Sequence, residues 1–407
     1  MVVQIVQSAS HIYVEAAFSR LGPVNSYTDL LNASTDPAHI LAADQIIHMT
    51  ESWRYLSSAL FAYLNHETPN STHFAYYAQL RAALSLFSGS GIRVKHDNSY
   101  WLNATGRKTP IPRRYGDRTH KFAALAWSEW IKRDNAKAIL ANEIYIQPSI
   151  RLRDFEPALK QFSYDYILAG FGHDFINLKS DHLARNVASY EPYWSDRQLT
   201  RMSNKNVAFA KELSKLFLTD GNSFIFDRAL IQYLVHYTTS EISQDTADQD
   251  KIPTQREKDQ LRMTMCEKIA DLISVNPKSL YEVLSENVGE KVFTYALCDK
   301  EPASVESIIS RAAFLVRYAM LAVKKNITLS GNVHIKKWIQ NWLERCGCWL
   351  PTMGVELEDL EADYADAIHE FPNHLTHLPS QLWEAETIHK TFKLANPHLC
   401  LAWGIAA

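Results

Sequence analysis

Apolar side chains recur every three or four residues over 44–64, at Ile47, Trp53, Leu56, Leu60 and Leu64, with Ala43, Ile46 and Met49 on the same side. That period matches the 3.6-residue turn of an amphipathic helix. Asn65-His66-Glu67-Thr68-Pro69-Asn70-Ser71 is a cluster of turn formers. A second helical run from His73 to Phe87 follows and is stopped by Gly89-Ser90-Gly91. Two helices joined by so short a turn are expected to pack as an antiparallel hairpin. Helix returns over 120–141, with Phe122, Leu125, Ala126, Trp130 and Ile139 at apolar positions. The aromatic stretch 162–176, with Phe162, Tyr164, Tyr166, Phe171 and Phe175, fits a strand or a buried helix, helix being preferred. Further helices are expected near 203–218, 225–238, 256–274, 278–286, 303–325 and 333–345. Ser304, with Glu306 and Ser307 after it, marks one of their starts.

Between these runs the pattern breaks in three places. Met1 to Gln7 reads as a short strand or an extended arm, pairing with another chain. Arg93 to His120 is polar, contains Pro110 and Pro112, and is expected to be poor in strand. Thr238 to Gln255 has few large apolar residues and reads as a linker. The expected fold class is therefore mainly α with few short strands. Its expected parts are an N-terminal arm over 1–40, a helical bundle with an extension over 41–238, a polar linker over 239–256 and a C-terminal helical domain over 257–407.

Composition narrows this picture without naming a function. The chain has 407 residues, 46% hydrophobic and 21% charged, enough apolar material to bury real cores and too much for a disordered chain. No stretch approaches the ~18 uninterrupted apolar residues of a membrane helix. The five cysteines are odd in number and irregular in spacing, which fits a reducing cytoplasm. A P-loop, a GxGxxG turn, a GxSxG elbow, an HExxH helix and the protein-kinase motifs are all absent, so nucleotide-driven and α/β-hydrolase chemistry are not expected.

The net charge of −3 hides a segregated chain. Residues 93–121 hold eight cations, Arg93, Lys95, Arg107, Lys108, Arg113, Arg114, Arg118 and Lys121, against Asp97 and Asp117. That balance of +6 leaves −9 for the remaining 378 residues. Tyr100, Trp101, Tyr115 and Phe122 interleave with the charges, and cations with aromatics are what a single-stranded nucleic-acid surface needs. A solvated loop, or a contact with an acidic partner, gives the same pattern. The opposite pole, Glu356 to Glu370, has seven acidic residues and no basic one, as a solvated helix face or a surface docking on basic charge would.

The segment His73-Phe74-Ala75-Tyr76-Tyr77-Ala78-Gln79-Leu80-Arg81-Ala82-Ala83-Leu84-Ser85-Leu86-Phe87, followed by Gly91-Ile92, resembles a signature of the HEPN superfamily. The preceding helix and Thr119-His120 opening a later one keep the same order, so the resemblance covers roughly residues 40–145. It implies a helical bundle and a place in a prokaryotic defence or toxin–antitoxin system. The protein would bind RNA and, in catalytic members, cleave it as a metal-independent endoribonuclease with an arginine and a histidine four to six residues apart. Here Arg114 and His120 have five residues between them, and Arg113 also meets the spacing. Histidine exchanges a proton near neutral pH and arginine holds a phosphate by paired hydrogen bonds. This sequence departs from the family in lacking the usual polar residue beside the arginine and in placing the pair at a loop-to-helix boundary. Arg228 and His236 lie on a later helix but have seven residues between them. The alternative is a non-catalytic scaffold or partner-binding subunit of a defence complex, a homo-oligomer or a complex with a protein of its own operon.

No cofactor and no metal is expected. Cys346, Cys348, His369, His374 and His377 cluster in sequence, but they form neither a CxxC pair nor a standard histidine spacing. The apolar end from Pro397 to Ala407 is expected to dock into a core or an interface.

Overall fold

Asp36 caps the first long helix. Its carboxylate accepts a hydrogen bond from the Ala38 amide at 2.9 Å, and Pro37 fills a position where a missing N–H costs nothing. In the computed structural model, residues 1–32, 34–116, 119–159, 163–176, 203–221, 223–246, 254–286, 288–297, 303–346, 356–370 and 393–406 are described. This helix is α4 (Pro37–Leu64), and α5 (Thr68–Gly89) returns along it. Ser71 donates to the Ala59 carbonyl and Ser85 to the Gln45 carbonyl, a register that only antiparallel helices allow. Ala75, Ala78, Ala82 and Ala83 are fully buried on α5, so the helices approach closely.

The Val305–Ser330 helix packs across both. It starts where Ser304 accepts a hydrogen bond from the Ser307 amide at 3.1 Å. Gln79 donates to the Ile308 carbonyl, and Asn326 donates to Gln45 Oε1, each at 3.2 Å. One hydrophobic core thus runs from Val2 to Ile405 and spans both sides of the boundary expected at 239–256. The Ile225–Thr246 helix occupies the first positions of that expected linker, and the Gln255–Ile273 helix begins just after Thr254, which caps it together with Glu257. Residues 247–253 lie outside the described residues.

Other helices sit close to their expected places, including Tyr164–Phe171, Asn204–Lys215, Pro277–Ser285 and Val333–Arg345. The mainly α class holds throughout the described residues. None of their helices is long and apolar enough to cross a membrane.

Three expectations are corrected. The N-terminal segment is neither strand nor arm: it forms α1 (Val2–Ser8), α2 (Ile12–Phe18) and α3 (Tyr27–Asn32). Val2, Ile5 and Val6 share one helical face in the core, and their burial outweighs the strand preference of β-branched residues. Residues 93–120 are not merely loop. They hold a three-stranded antiparallel sheet, β1 (Ile92–Arg93), β2 (Tyr100–Leu102) and β3 (Lys108–Pro110). Gly91 lets the chain enter it: at φ +90° a Cβ would stand 2.3 Å from the Ser10 carbonyl oxygen. The 120–141 run divides into α7 (Thr119–Trp130) and α8 (Asp134–Glu143), preceded by the single turn α6 (Arg113–Gly116). At the break, Arg133 donates to the carbonyls of Val6 and Ala9 and anchors α1.

The acidic run forms the Leu357–Glu370 helix. Leu360, Tyr364, Ala367 and Ile368 face inward, while Glu358, Asp359, Asp363 and Asp366 stay exposed. The chain end docks as expected, with Leu399 to Trp403 buried.

Candidate nucleic-acid interface and a charged cavity

The eight cations of 93–121 separate by depth. Arg93, expected from sequence to be a phosphate ligand, is 5% exposed. Its Nε donates to Asp44 Oδ2 at 2.5 Å and its Nη2 to Oδ1 at 3.4 Å, which ties β1 to α4. A guanidinium so enclosed is out of reach of a polyanion, so Arg93 leaves the interface. Tyr100 and Phe122 are buried as well and stack on nothing outside. Trp101 is half-buried and packs on the core.

Lys95, Arg107, Lys108, Arg113, Arg114 and Lys121 are exposed. Lys108 lies 4.6 Å from the centre of the Tyr100 ring and donates to Asn98 at 3.2 Å. Arg113 comes within 3.9 Å of Asp97, which brings the β1–β2 turn, with Lys95, next to α6. Arg107 sits at the opposite, β2–β3 end of the sheet. Among the described residues, Lys95, Arg107, Arg114 and Lys121 have no carboxylate within ion-pair distance. Arg118 lies outside the described residues.

His120 opens α7 half-buried against α5. Its Nδ1 is 3.1 Å from the Tyr76 hydroxyl, its ring stacks on Tyr76 at 5.6 Å, and Tyr77 meets it edge-on at 5.8 Å. Arg114 instead lies over the Tyr115 ring at 4.9 Å. The two residues of the spacing motif therefore rest on different aromatic partners. Tyr76, whose place in the α5 pattern marks it only as a seam filler, both stacks on His120 and reaches its Nδ1.

A second charged site escapes the sequence reading. Arg317, on the Val305–Ser330 helix, is 4% exposed; its Nε donates to Asp227 Oδ1 at 3.1 Å and its Nη2 to Oδ2 at 2.6 Å. Asp227 is fully buried, and burial pushes its carboxyl above the usual carboxylate range despite Arg317. Arg317 and Lys324 together line a cavity of about 310 Å³, and both also line a second of about 160 Å³ that Glu143 and Tyr145 border. Burial and the neighbouring guanidinium hold the Lys324 ammonium below the ordinary lysine value. The signal in the sequence is an arginine inside an otherwise apolar run, Ala312 to Val323, which asks for a buried partner.

Among the described residues no group of three or more His, Cys, Asp or Glu is placed to hold a metal ion. Cys348, His374 and His377 lie outside those residues. The fold and these surfaces define a mainly α-helical protein with a basic outer face and a charged cavity open to solvent. The chain matches no family model, no curated protein and no solved structure.

Proposed function

We propose that this protein binds RNA on the face formed by the β1–β2 turn, β3, α6 and the start of α7. The observation that carries the reading is the set of exposed cations there without carboxylate partners, in a chain whose net charge is −3. Lys95, Lys108, Arg113, Arg114 and Lys121 meet phosphates, with Tyr115 beside Arg114 as an aromatic platform. Cleavage, in this reading, uses His120 as general acid–base and Arg114 as the phosphate holder, with the RNA 2′-hydroxyl as nucleophile. The setting that the HEPN resemblance implies is a prokaryotic defence or toxin–antitoxin system in the cytoplasm.

The experiment is titration of labelled single-stranded RNA at several salt concentrations, with the RNA then run on a gel. Replacing Lys95, Lys108 and Arg113 by Gln should weaken binding at all sequences and flatten the salt dependence by about 0.7 in log–log slope for each phosphate left without its cation. His120→Ala should abolish cleavage and leave binding in place. RNA that stays unbound at low salt refutes the reading.

A second reading rests on the separate partners of Arg114 and His120. On it the protein is a non-catalytic subunit that binds RNA or an operon partner without cutting. Intact RNA with the wild-type protein, bound as tightly as by the His120→Ala variant, favours this reading over cleavage.

A further inference from the structure

Lys324 lies seven residues after Arg317, two turns along the Val305–Ser330 helix, so both cations share one face and line the same 310 Å³ cavity. Arg317 commits Nε and Nη2 to Asp227 and makes no other hydrogen bond among the described residues. Lys324 has no hydrogen bond or ion pair among them. Ser223, on the short strand Ser223–Phe224, is 6% exposed, lines the cavity and has no partner for its hydroxyl among the described residues. The Lys324 ammonium, the Ser223 hydroxyl and the guanidinium hydrogens that Arg317 does not give to Asp227 thus border one space, with no acceptor within hydrogen-bond distance among the described residues. Buried polar groups are ordinarily satisfied, and a cation held in a partly desolvated wall calls for an anion.

The same cavity also carries the other sign. Glu358 and Glu361, on the Leu357–Glu370 helix, line the same cavity. Glu361 uses Oε1 to accept from the Thr219 amide at 2.6 Å and from its hydroxyl at 2.7 Å, which anchors that helix to the cavity rim. Phe224 and Trp403 add apolar surface to the lining. Gly404 leaves room for them, since a Cβ there would stand 2.2 Å from Met320 Cε and 2.7 Å from Phe224 Cζ and would push those side chains aside. The volume lies at the lower end of small-molecule sites, which span about 300–1,000 Å³.

A purely anionic ligand would gain from Lys324 and Arg317 but meet two carboxylates, and a purely cationic one would meet the reverse. Only a molecule bearing both charges is attracted by both sets of side chains. We propose that this cavity binds a small zwitterion, a free α-amino acid or a dipeptide, with its carboxylate on Lys324, Arg317 and Ser223 and its ammonium on Glu358 and Glu361. The apolar side chain lies against Phe224 and Trp403. The site shares no residue with the basic face and stands whether or not that face binds RNA.

Calorimetric titration of the full chain tests this with L-leucine, L-phenylalanine and glycyl-L-phenylalanine, each beside its N-acetylated form and its decarboxylated or amidated form. At least one zwitterion should bind, and removing either charge should weaken it by about tenfold or more. Lys324→Gln should cost a similar factor, and Ser223→Ala a smaller one, with circular dichroism confirming that each variant is folded. If Lys324→Gln does not fold, Ser223→Ala and Glu358→Gln decide by the same measure. The proposal falls if no member of the panel binds, if the N-acetyl forms bind as tightly as the zwitterions, or if the folded cavity variants bind as the wild type does.

Discussion

Arg93 and Arg317 are buried to nearly the same extent against Asp44 and Asp227, yet the sequence around them could hardly differ more. Arg93 sits among the densest positive charge of the chain, Arg317 in an apolar helix. Each uses Nε and Nη2 on its aspartate, and each lies over an aromatic ring, Tyr100 at 5.9 Å and Phe224 at 4.4 Å. What differs is the space beyond the pair. Arg93 closes a seam between a small sheet and α4. Arg317 faces a cavity that also holds Lys324 and Ser223, whose hydroxyl has no partner among the described residues. The charge density of a segment thus says little about which of its charges meet solvent or a ligand; depth and the partner decide.

The largest effect should come from breaking the deeper pair. Asp227→Asn leaves Arg317 buried without a counter-charge and should lower unfolding stability by about 3–5 kcal/mol in urea titrations. Buried ion pairs are often close to break-even against an apolar substitute of similar volume, and burial raises the Asp227 carboxyl against the pull of Arg317. Asp227→Asn combined with Arg317→Met should therefore recover much of the loss. A double variant no more stable than Asp227→Asn alone would mean that the pair is a net source of stability over an apolar substitute, and losses that simply add would mean that the two side chains are not coupled.

Acid attacks neither pair first. His398 is 9% exposed with Nδ1 2.8 Å from Ser57 Oγ, and burial pushes its imidazole down to about 4. An unfolded-chain histidine titrates near pH 6.5, so between about 6.5 and 4 the unfolded chain binds a proton that the folded one refuses. Stability is full above that window and falls as pH drops through it, by about 3 kcal/mol at pH 4 from this residue. His236 is shifted in the same direction and adds to the slope. In His398→Asn the urea midpoint should depend less steeply on pH over this window; an unchanged slope would place the acid sensitivity elsewhere.

The legible part of the fold is the part with long repeats. The α4–α5 hairpin is readable because more than five turns of each helix keep the same apolar face. β2 shows only three residues, with Tyr100 and Leu102 inward and Trp101 between, too short an alternation to stand out from loop. At the N-terminus the spacing Val2, Ile5, Val6 carries a helical signal, but β-branched composition points the other way, and only packing against α7 decides. Among site residues, Lys108 and Arg113 stand out because exposed charge is visible in composition. Lys324, Ser223 and Glu361 do not, because they converge on the cavity from separate helices and a strand far apart in sequence.

The Arg93 pair should give a smaller loss than the Arg317 pair, because Asp44 keeps 9% of its side chain accessible where Asp227 keeps none. Asp44→Asn should cost about 1–3 kcal/mol. The smallest stability effect belongs to its neighbours. Lys108→Gln and Arg113→Gln should leave the urea midpoint within error, because the Arg113 side chain is 84% exposed and its approach to Asp97 is 3.9 Å across solvent. The same two changes should weaken RNA binding and reduce its salt dependence, whereas Asp44→Asn should move stability and leave the salt slope alone. That crossed outcome would assign Arg93 to structure and the charges around it to ligand. Equal stability losses at Arg113 and Asp44 would erase the distinction between a buried and an exposed charge on which the basic face rests.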